Sequence, residues 1–275
     1  MSTLAQLLQR GTTNLRATSA TPRADALHLL AHAAARPRAW ILAHEEARPG
    51  PEAASLFERL VQERNHGRPI AYLLESAGFY GREFCVNERV LVPRPETEHL
   101  VEAAIAHRPR RALDVGTGSG AIACTIAAET DALIDATDIS ADAIKIAQHN
   151  ATQLGVADRC TFHHGDLAEP VRGRQFDLIV ANLPYVPSSD LPPKPNPLAF
   201  EPELALDGGP DGLTLYRKFL PTAPALLAPG GLLLLEAAPP TIEKLRELTQ
   251  STFPDCVISV GLDYAGLARY IKTQT

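Results

Sequence analysis

Phe176-Asp177-Leu178-Ile179-Val180-Ala181-Asn182-Leu183-Pro184-Tyr185-Val186-Pro187 is the stretch whose reading decides the fold. Leu178 to Ala181 is apolar without alternation, as expected of a strand buried on both faces of a parallel sheet. Asn182 then stands just past the carboxyl end of that strand, where open α/β sheets bind ligands. Pro184 and Pro187 restrict their own backbone and that of the residues before them, so the turn is held in few conformations. An Asn side-chain oxygen and a backbone carbonyl freed by such a turn accept the two hydrogens of a planar NH2 group. The Tyr185 ring offers a flat face for stacking. A plain Asn-x-Pro turn at a strand end has the same composition, so the neighbouring sequence has to decide.

Outward from this stretch the chain alternates strand and helix. Expected strands are Arg111–Val115, Leu133–Thr137, Cys160–Phe162, Phe176–Ala181 and Gly231–Glu236, with helices over 121–128, from Ser140 through 151, and around 213–226. Two late strands, 257–262 and 268–273, flank Asp263-Tyr264-Ala265-Gly266 and are expected to pair antiparallel. That pattern reads as an α/β, doubly wound, mostly parallel seven-stranded sheet. The long Pro-rich loop from Pro187 to Pro202 lies beside the fourth strand.

Before the alternation, residues 1–75 read as a small helical bundle, with starts at Ser2 or Thr3, at Pro22, after Pro37 and at Pro51, and with Gly11 interrupting or ending the first helix. Residues 76–93 read as a β-hairpin linker with a turn at Asn87-Glu88, and 94–275 as the α/β domain. Pro93-Arg94-Pro95 breaks the strand, and Glu96-Thr97-Glu98 opens a helix.

The chain of 275 residues has a net charge of −6, which argues against a large nucleic-acid footprint. No apolar run reaches membrane-spanning length, and the first residues lack signal-peptide zones, so a cytoplasmic enzyme without a membrane partner is expected. Cys85, Cys124, Cys160 and Cys256 lack metal-ligand spacing and read as reduced, buried thiols.

A second motif follows the first expected strand of the α/β domain: Asp114-Val115-Gly116-Thr117-Gly118-Ser119-Gly120. Such glycines let backbone approach a ligand at a helix N-terminus. Asp138 comes 22 residues after Gly116, placed to accept from ribose hydroxyls. The order is GxGxG rather than GxGxxG, and the Asp114 carboxylate repels a pyrophosphate while suiting an ammonium and a sulfonium. Asp166, after the third strand, is placed to accept from an adenine amino group. Together these favour S-adenosylmethionine over a dinucleotide, with S-adenosylhomocysteine as product.

These motifs resemble the class I methyltransferases that act on planar NH2 groups. Val90-Leu91-Val92-Pro93-Arg94-Pro95-Glu96-Thr97-Glu98, Gly78-Phe79-Tyr80-Gly81 and Phe200-Glu201-Pro202 are similar to the signatures of the peptide chain release factor glutamine N5-methyltransferase family. The resemblance implies methylation of the glutamine in the Gly-Gly-Gln loop of class 1 release factors, docked by the N-terminal helical domain. It implies Asn182, Leu183, Pro184 and Tyr185 as the catalytic set, the second acceptor being the carbonyl of residue 183. Asp114, Gly116, Thr117, Gly118, Ser119, Gly120, Asp138, Ile139, Asp166, Leu167 and Asn182 are the expected cofactor residues, no metal is expected, and a monomer is the expected state. Two departures stand out: Leu183 where the family has Pro, and Glu236-Ala237-Ala238-Pro239 where it commonly has Gly and then Gln. A glutamine of a ribosomal protein, or an exocyclic amine of a nucleic-acid base, presents the same planar NH2. A scaffold that kept the fold without the activity is a further reading.

Overall fold

The structure is a computed structural model that describes residues 2–275. It divides into two compact units, one running to Ser76 and including Pro192–Phe200, the other made of Ala77–Leu191 and Glu201–Thr275. The Pro-rich loop is thus split: its centre belongs with the helices, although it lies inside the sequence span expected for the α/β domain.

The helical unit contains α1 (Leu4–Leu15), α2 (Pro22–Ala33), α3 (Arg38–Ala43), α4 (Pro51–Asn65) and α5 (Ile70–Leu74). Thr3 caps α1 in a capping box with Gln6, satisfying backbone donors at both positions. Gly11, expected to interrupt α1, lies within it. A Cβ there would come within 2.5 Å of Phe57 Cζ, so the glycine leaves room for a buried ring from α4. The helix α5 lies at the end of the span read as a helical bundle. Leu7, Leu29, Leu30, Ile41 and Phe57 form the core of this unit. Arg64 Nε donates to Asp25 Oδ2 at 2.8 Å, and the Ser19 and Thr21 hydroxyls also donate to that carboxylate.

The hairpin is β1 (Ser76–Phe79) and β2 (Arg82–Cys85). Its turn is at Tyr80-Gly81, where φ is +50° and +71°, and not at Asn87-Glu88. A two-residue hairpin loop of type I′ requires positive φ at both central positions, and glycine supplies the second without strain. Residues 90–92, expected as strand, form no strand.

The sheet contains β3 (Arg111–Val115), β4 (Leu133–Asp138), β5 (Cys160–His164), β6 (Phe176–Ala181), β7 (Leu227–Glu236), β8 (Val257–Leu262) and β9 (Ala268–Gln274), in the order β5-β4-β3-β6-β7-β9-β8. The first five strands are parallel, and β9 pairs antiparallel with β7 and β8. Helices α6 (Glu98–Ala106), α7 (Ala121–Glu129), α8 (Ala141–Gln153), α9 (Thr214–Phe219), α10 (Ala223–Leu226) and α11 (Ile242–Thr252) complete this unit. Pro221 stands where a single helix was expected over 213–226, and a short 3-10 turn separates α9 from α10 there. The unalternating apolar run of β6 divides between two cores, Leu178 and Val180 packing on one face, Phe176, Ile179 and Ala181 on the other. All four cysteines are free, Cys124 and Cys160 buried, Cys85 and Cys256 partly exposed. Among the described residues no helix is long and apolar enough to cross a membrane.

Asp25 is 6% exposed and tied to Arg64 in the helical unit. Removing one partner of a buried ion pair leaves the other charge uncompensated, so Asp25→Ala should cost about 3–5 kcal/mol in chemical denaturation.

Candidate active site

Strand register assembles the site. Val115 on β3 pairs with Thr137 on β4 and with Ala181 on β6, so Gly116, Asp138 and Asn182 leave the sheet side by side. Successive connections leave β3 in opposite directions, toward β4 and β5 on one side and β6 and β7 on the other, which opens a crevice at this edge. A cavity there is lined by Gly116, Gly118, Asp138, Ile139, Asp166, Leu167, Asn182, Leu183 and Pro184 from the expected set. Arg89, Val90, Leu91, Ser140, Ala143, Pro202, Leu204, Ala205 and Leu215 complete the lining. Ile139 and Leu204, 51% and 58% exposed, give it an apolar wall that an aromatic ring would cover.

The glycine loop is shaped from below. Gly116 N–H and Thr117 N–H both donate to the Thr137 carbonyl. Asp138 Oδ2 accepts from Gly118 N–H, and Oδ1 accepts from Ser140 N–H, each at 2.8 Å. An ionised carboxylate has about four acceptor positions, so two are left for hydroxyls of a bound ligand. Gly118 has φ +55° and open space where a Cβ would project, as a backbone approached by a ligand requires. Gly120 serves packing: a Cβ would meet Ala147 Cβ at 3.0 Å. Leu167 has φ +47°, a strained conformation for a branched side chain, directly beside the cavity.

Four expected cofactor residues play a structural part. Asp114 is 1% exposed and does not line the cavity. Its Oδ2 accepts from the Thr117 hydroxyl at 2.6 Å and from Ala123 N–H at 3.2 Å, and Oδ1 is buried without a hydrogen bond. The carboxylate expected to face an ammonium therefore anchors the loop to the start of α7. Thr117, Ser119 and Gly120 likewise lie off the lining. Tyr185 departs from expectation too: its ring packs on the core and its hydroxyl donates to Glu236 Oε1 at 3.2 Å, so it presents no stacking face to the cavity.

The turn after β6 is braced by residues that the sequence alone did not single out. Leu183 is 2% exposed, and its N–H donates to the Tyr216 hydroxyl at 3.2 Å. A Pro at 183 has no N–H for this bond. Tyr216 also donates to the Glu236 carbonyl. Gly208 and Gly212 press on the same turn, since a Cβ at either would stand 2.7 Å from the Pro184 carbonyl oxygen or 2.3 Å from that of Tyr185. Their close spacing in Gly208-Gly209-Pro210-Asp211-Gly212 was the available signal. Asn150 on α8 bonds both the N–H and carbonyl of Cys85 and the Ser119 carbonyl, joining the hairpin to the glycine loop.

Burial pushes Asp114 and Glu236 each up to about 7. For Asp114, hydrogen bonds from Thr117 and Ala123 oppose the rise and Asp138 adds to it. For Glu236, the Thr97 and Tyr185 hydroxyls and Arg269 oppose it and Glu96 adds to it. Burial also raises Asp138, against hydrogen bonds from Ser140 and Gly118.

Residues 6–74 match the PrmC N-terminal domain, and residues 95–192 the methyltransferase small domain. The chain is 42% identical to a release factor glutamine methyltransferase of Moorella thermoacetica, over 90% of this chain and 89% of that one. It is 41% identical to a release factor glutamine methyltransferase of Neisseria gonorrhoeae, over 92% of this chain and 96% of that one. A T. thermophilus 16S rRNA methyltransferase, solved in complex with AdoMet and guanosine, shares the fold at TM-score 0.54 and 20% identity, over 73% of this chain and 49% of that one.

A carboxylic acid whose folded pKa is raised contributes its full stability below the unfolded value and loses it as pH rises toward the folded value. Glu236→Gln should therefore flatten the fall in stability between about pH 4.5 and about pH 7. The difference in slope, read by denaturation at several pH values, should reach about 1.4 kcal/mol per pH unit for one group.

Proposed function

This chain belongs to the release factor glutamine methyltransferase family, and we propose that it moves a methyl group from S-adenosylmethionine to the side-chain amide nitrogen of a release factor glutamine. The observation that carries the reading is the placement of Asn182 beside the Gly116–Asp138 pocket, fixed by register across β4, β3 and β6. The names of the relatives favour a release factor over a ribosomal protein or a nucleic-acid base. The glutamine of the Gly-Gly-Gln loop in class 1 release factors is the finer assignment. We assign the helical unit, which contains the residues matching the PrmC N-terminal domain, to docking that protein. A monomer is the proposed state.

The pocket fits the cofactor by its donor set. Asp138 keeps acceptor positions that would take ribose hydroxyls, and Asp166, Leu167 and Ile139, which line the same cavity, would hold the adenine. The open space over Gly118 admits the ligand against the backbone. When bound, S-adenosylmethionine supplies an electrophilic methyl on a sulfonium.

The chain's own residues position the nucleophile. An amide nitrogen is weak because its lone pair is delocalised. Asn182 Oδ1 accepts one N–H and the Leu183 carbonyl accepts the other; neither atom has a hydrogen bond from the described residues. Two acceptors hold the nitrogen facing the methyl and draw on its hydrogens. Alignment of reacting atoms about 3–3.5 Å apart is worth about 7–11 kcal/mol of barrier. The surplus proton passes to solvent after transfer.

Asn182→Ala should reduce transfer to a release factor by at least about a hundredfold, measured with labelled S-adenosylmethionine and mass mapping of the modified glutamine. Calorimetry should show cofactor affinity close to that of the unaltered chain. Near-normal turnover in this variant would remove Asn182 from the mechanism.

A further inference from the structure

Two stretches outside the sheet also line the cavity beside Gly116 and Asp138: Arg89, Val90 and Leu91, and then Pro202, Leu204 and Ala205. Neither stretch is strand, so sheet register does not place them. One carboxylate joins the two. Glu201 Oε2 accepts from Val92 N–H at 3.0 Å, and Oε1 accepts from Arg94 Nη2 at 2.5 Å. The Glu201 side chain is 2% exposed and that of Arg94 29%. A charge buried to this degree is kept only where it is paired and hydrogen-bonded, as both oxygens are here. The far end of the second stretch is tied by backbone: Val186 N–H donates to the Leu206 carbonyl at 3.0 Å, and Gly208 N–H donates to the Val186 carbonyl at 2.8 Å. Between the ties the chain folds on itself, Ala205 N–H donating to the Pro202 carbonyl and Leu206 N–H to that of Glu203, each at 2.9 Å. Residues 201–208 are thus a strap fixed at both ends, with the exposed Leu204 beside the cavity. The backbone ties survive a change of side chain. The tie at Glu201 does not.

We propose that Glu201, paired with Arg94, latches this strap to Val92 and so holds Leu204 in place to cover the bound cofactor. Both are positioning residues, since neither lines the cavity. The proposal rests on the reading that S-adenosylmethionine occupies that cavity. Arg94 stands between Pro93 and Pro95, and Glu201 is followed by Pro202, so the backbone around each partner is already restricted. Less freedom is then lost when the latch forms. With the latch made, Leu204 and Ile139 cover apolar surface of the cofactor. With it broken, Arg94 is solvated, the near end of the strap leaves Val92, and Leu204 leaves with it. The turn after β6 meets the strap through backbone bonds at Val186, so Asn182 and the Leu183 carbonyl keep their places. The latch governs the hold on the cofactor, and the turn governs the transfer.

The experiment measures S-adenosylmethionine affinity by calorimetry, and kcat on a release factor at saturating cofactor, for Glu201→Gln, Arg94→Gln, the double variant and Arg94→Lys. Glu201→Gln keeps the shape and an acceptor for Val92 N–H while losing the charge. Each single loss should weaken cofactor binding roughly ten- to hundredfold, the worth of a hydrogen bond to a charged group. Saturated kcat should stay close to that of the unaltered chain, the reverse of the pattern for Asn182→Ala. The double variant should bind no worse than either single one, because both break the same tie. Arg94→Lys, which keeps the charge, should recover most of the affinity. Leu204→Ala, an exposed site, should weaken cofactor binding with no change in thermal midpoint. If Glu201→Gln does not fold, Arg94→Gln and Leu204→Ala carry the same test from more exposed positions. Unchanged cofactor affinity in those two variants would overturn this inference alone, as would losses that add in the double variant or fall on kcat instead. Failure of the unaltered chain to bind S-adenosylmethionine would fail the underlying reading, and this inference with it.

Discussion

The parallel register of β4, β3 and β6 is the constraint on which the site depends. A slip of one residue in either pairing would turn every side chain of a strand to the opposite face. It would exchange the two cores and carry Asn182 away from the glycine loop. The register is held by burial on both faces and by Asp177, which accepts from the N–H groups of Arg110 and Arg111 where β3 begins. Because β3 is the point where successive connections part, the strand ends below it leave a crevice that side chains do not fill.

Carboxyl groups do different work at this edge according to their surroundings. Asp114 is sealed beneath the glycine loop and holds its shape. Asp138 holds two backbone N–H groups and still borders the cavity. Glu236 is buried at a cost, since desolvation favours its neutral form. A structure selected only for stability would replace such a group with an apolar one of similar size. It is tied to the turn after β6 through the Tyr185 hydroxyl, which donates to its Oε1.

Leu183 shows how one physical requirement is met by different means. Proline limits a turn through its ring, whereas Leu183 is held by burial and by an N–H bond to Tyr216. Gly208 and Gly212 close on the far side of the turn. The acceptor proposed at residue 183 is a backbone carbonyl, so the change of side chain leaves it in place.

Periodicity and punctuation were enough to read the seven strands, the helices α6 to α8, and the positions of Gly116, Asp138 and Asn182, because burial on two faces and the ends of strands leave local marks; α11 was not among the expected helices. Local marks misled at Gly11, which is kept for a ring from a distant helix, and at Asn87-Glu88, where the positive φ angles belong instead to Tyr80 and Gly81. Asp114 and Tyr185 were placed correctly along the chain and given the wrong surroundings, since burial of a side chain depends on what packs over it. Composition and spacing determined that this chain builds a parallel sheet with a glycine loop and an Asn-ended strand. Only the tertiary structure decided which polar groups face the cavity and which lie beneath it, because Thr97, Asn182, Tyr185 and Glu236 come from separate segments and meet only once the strands are in register.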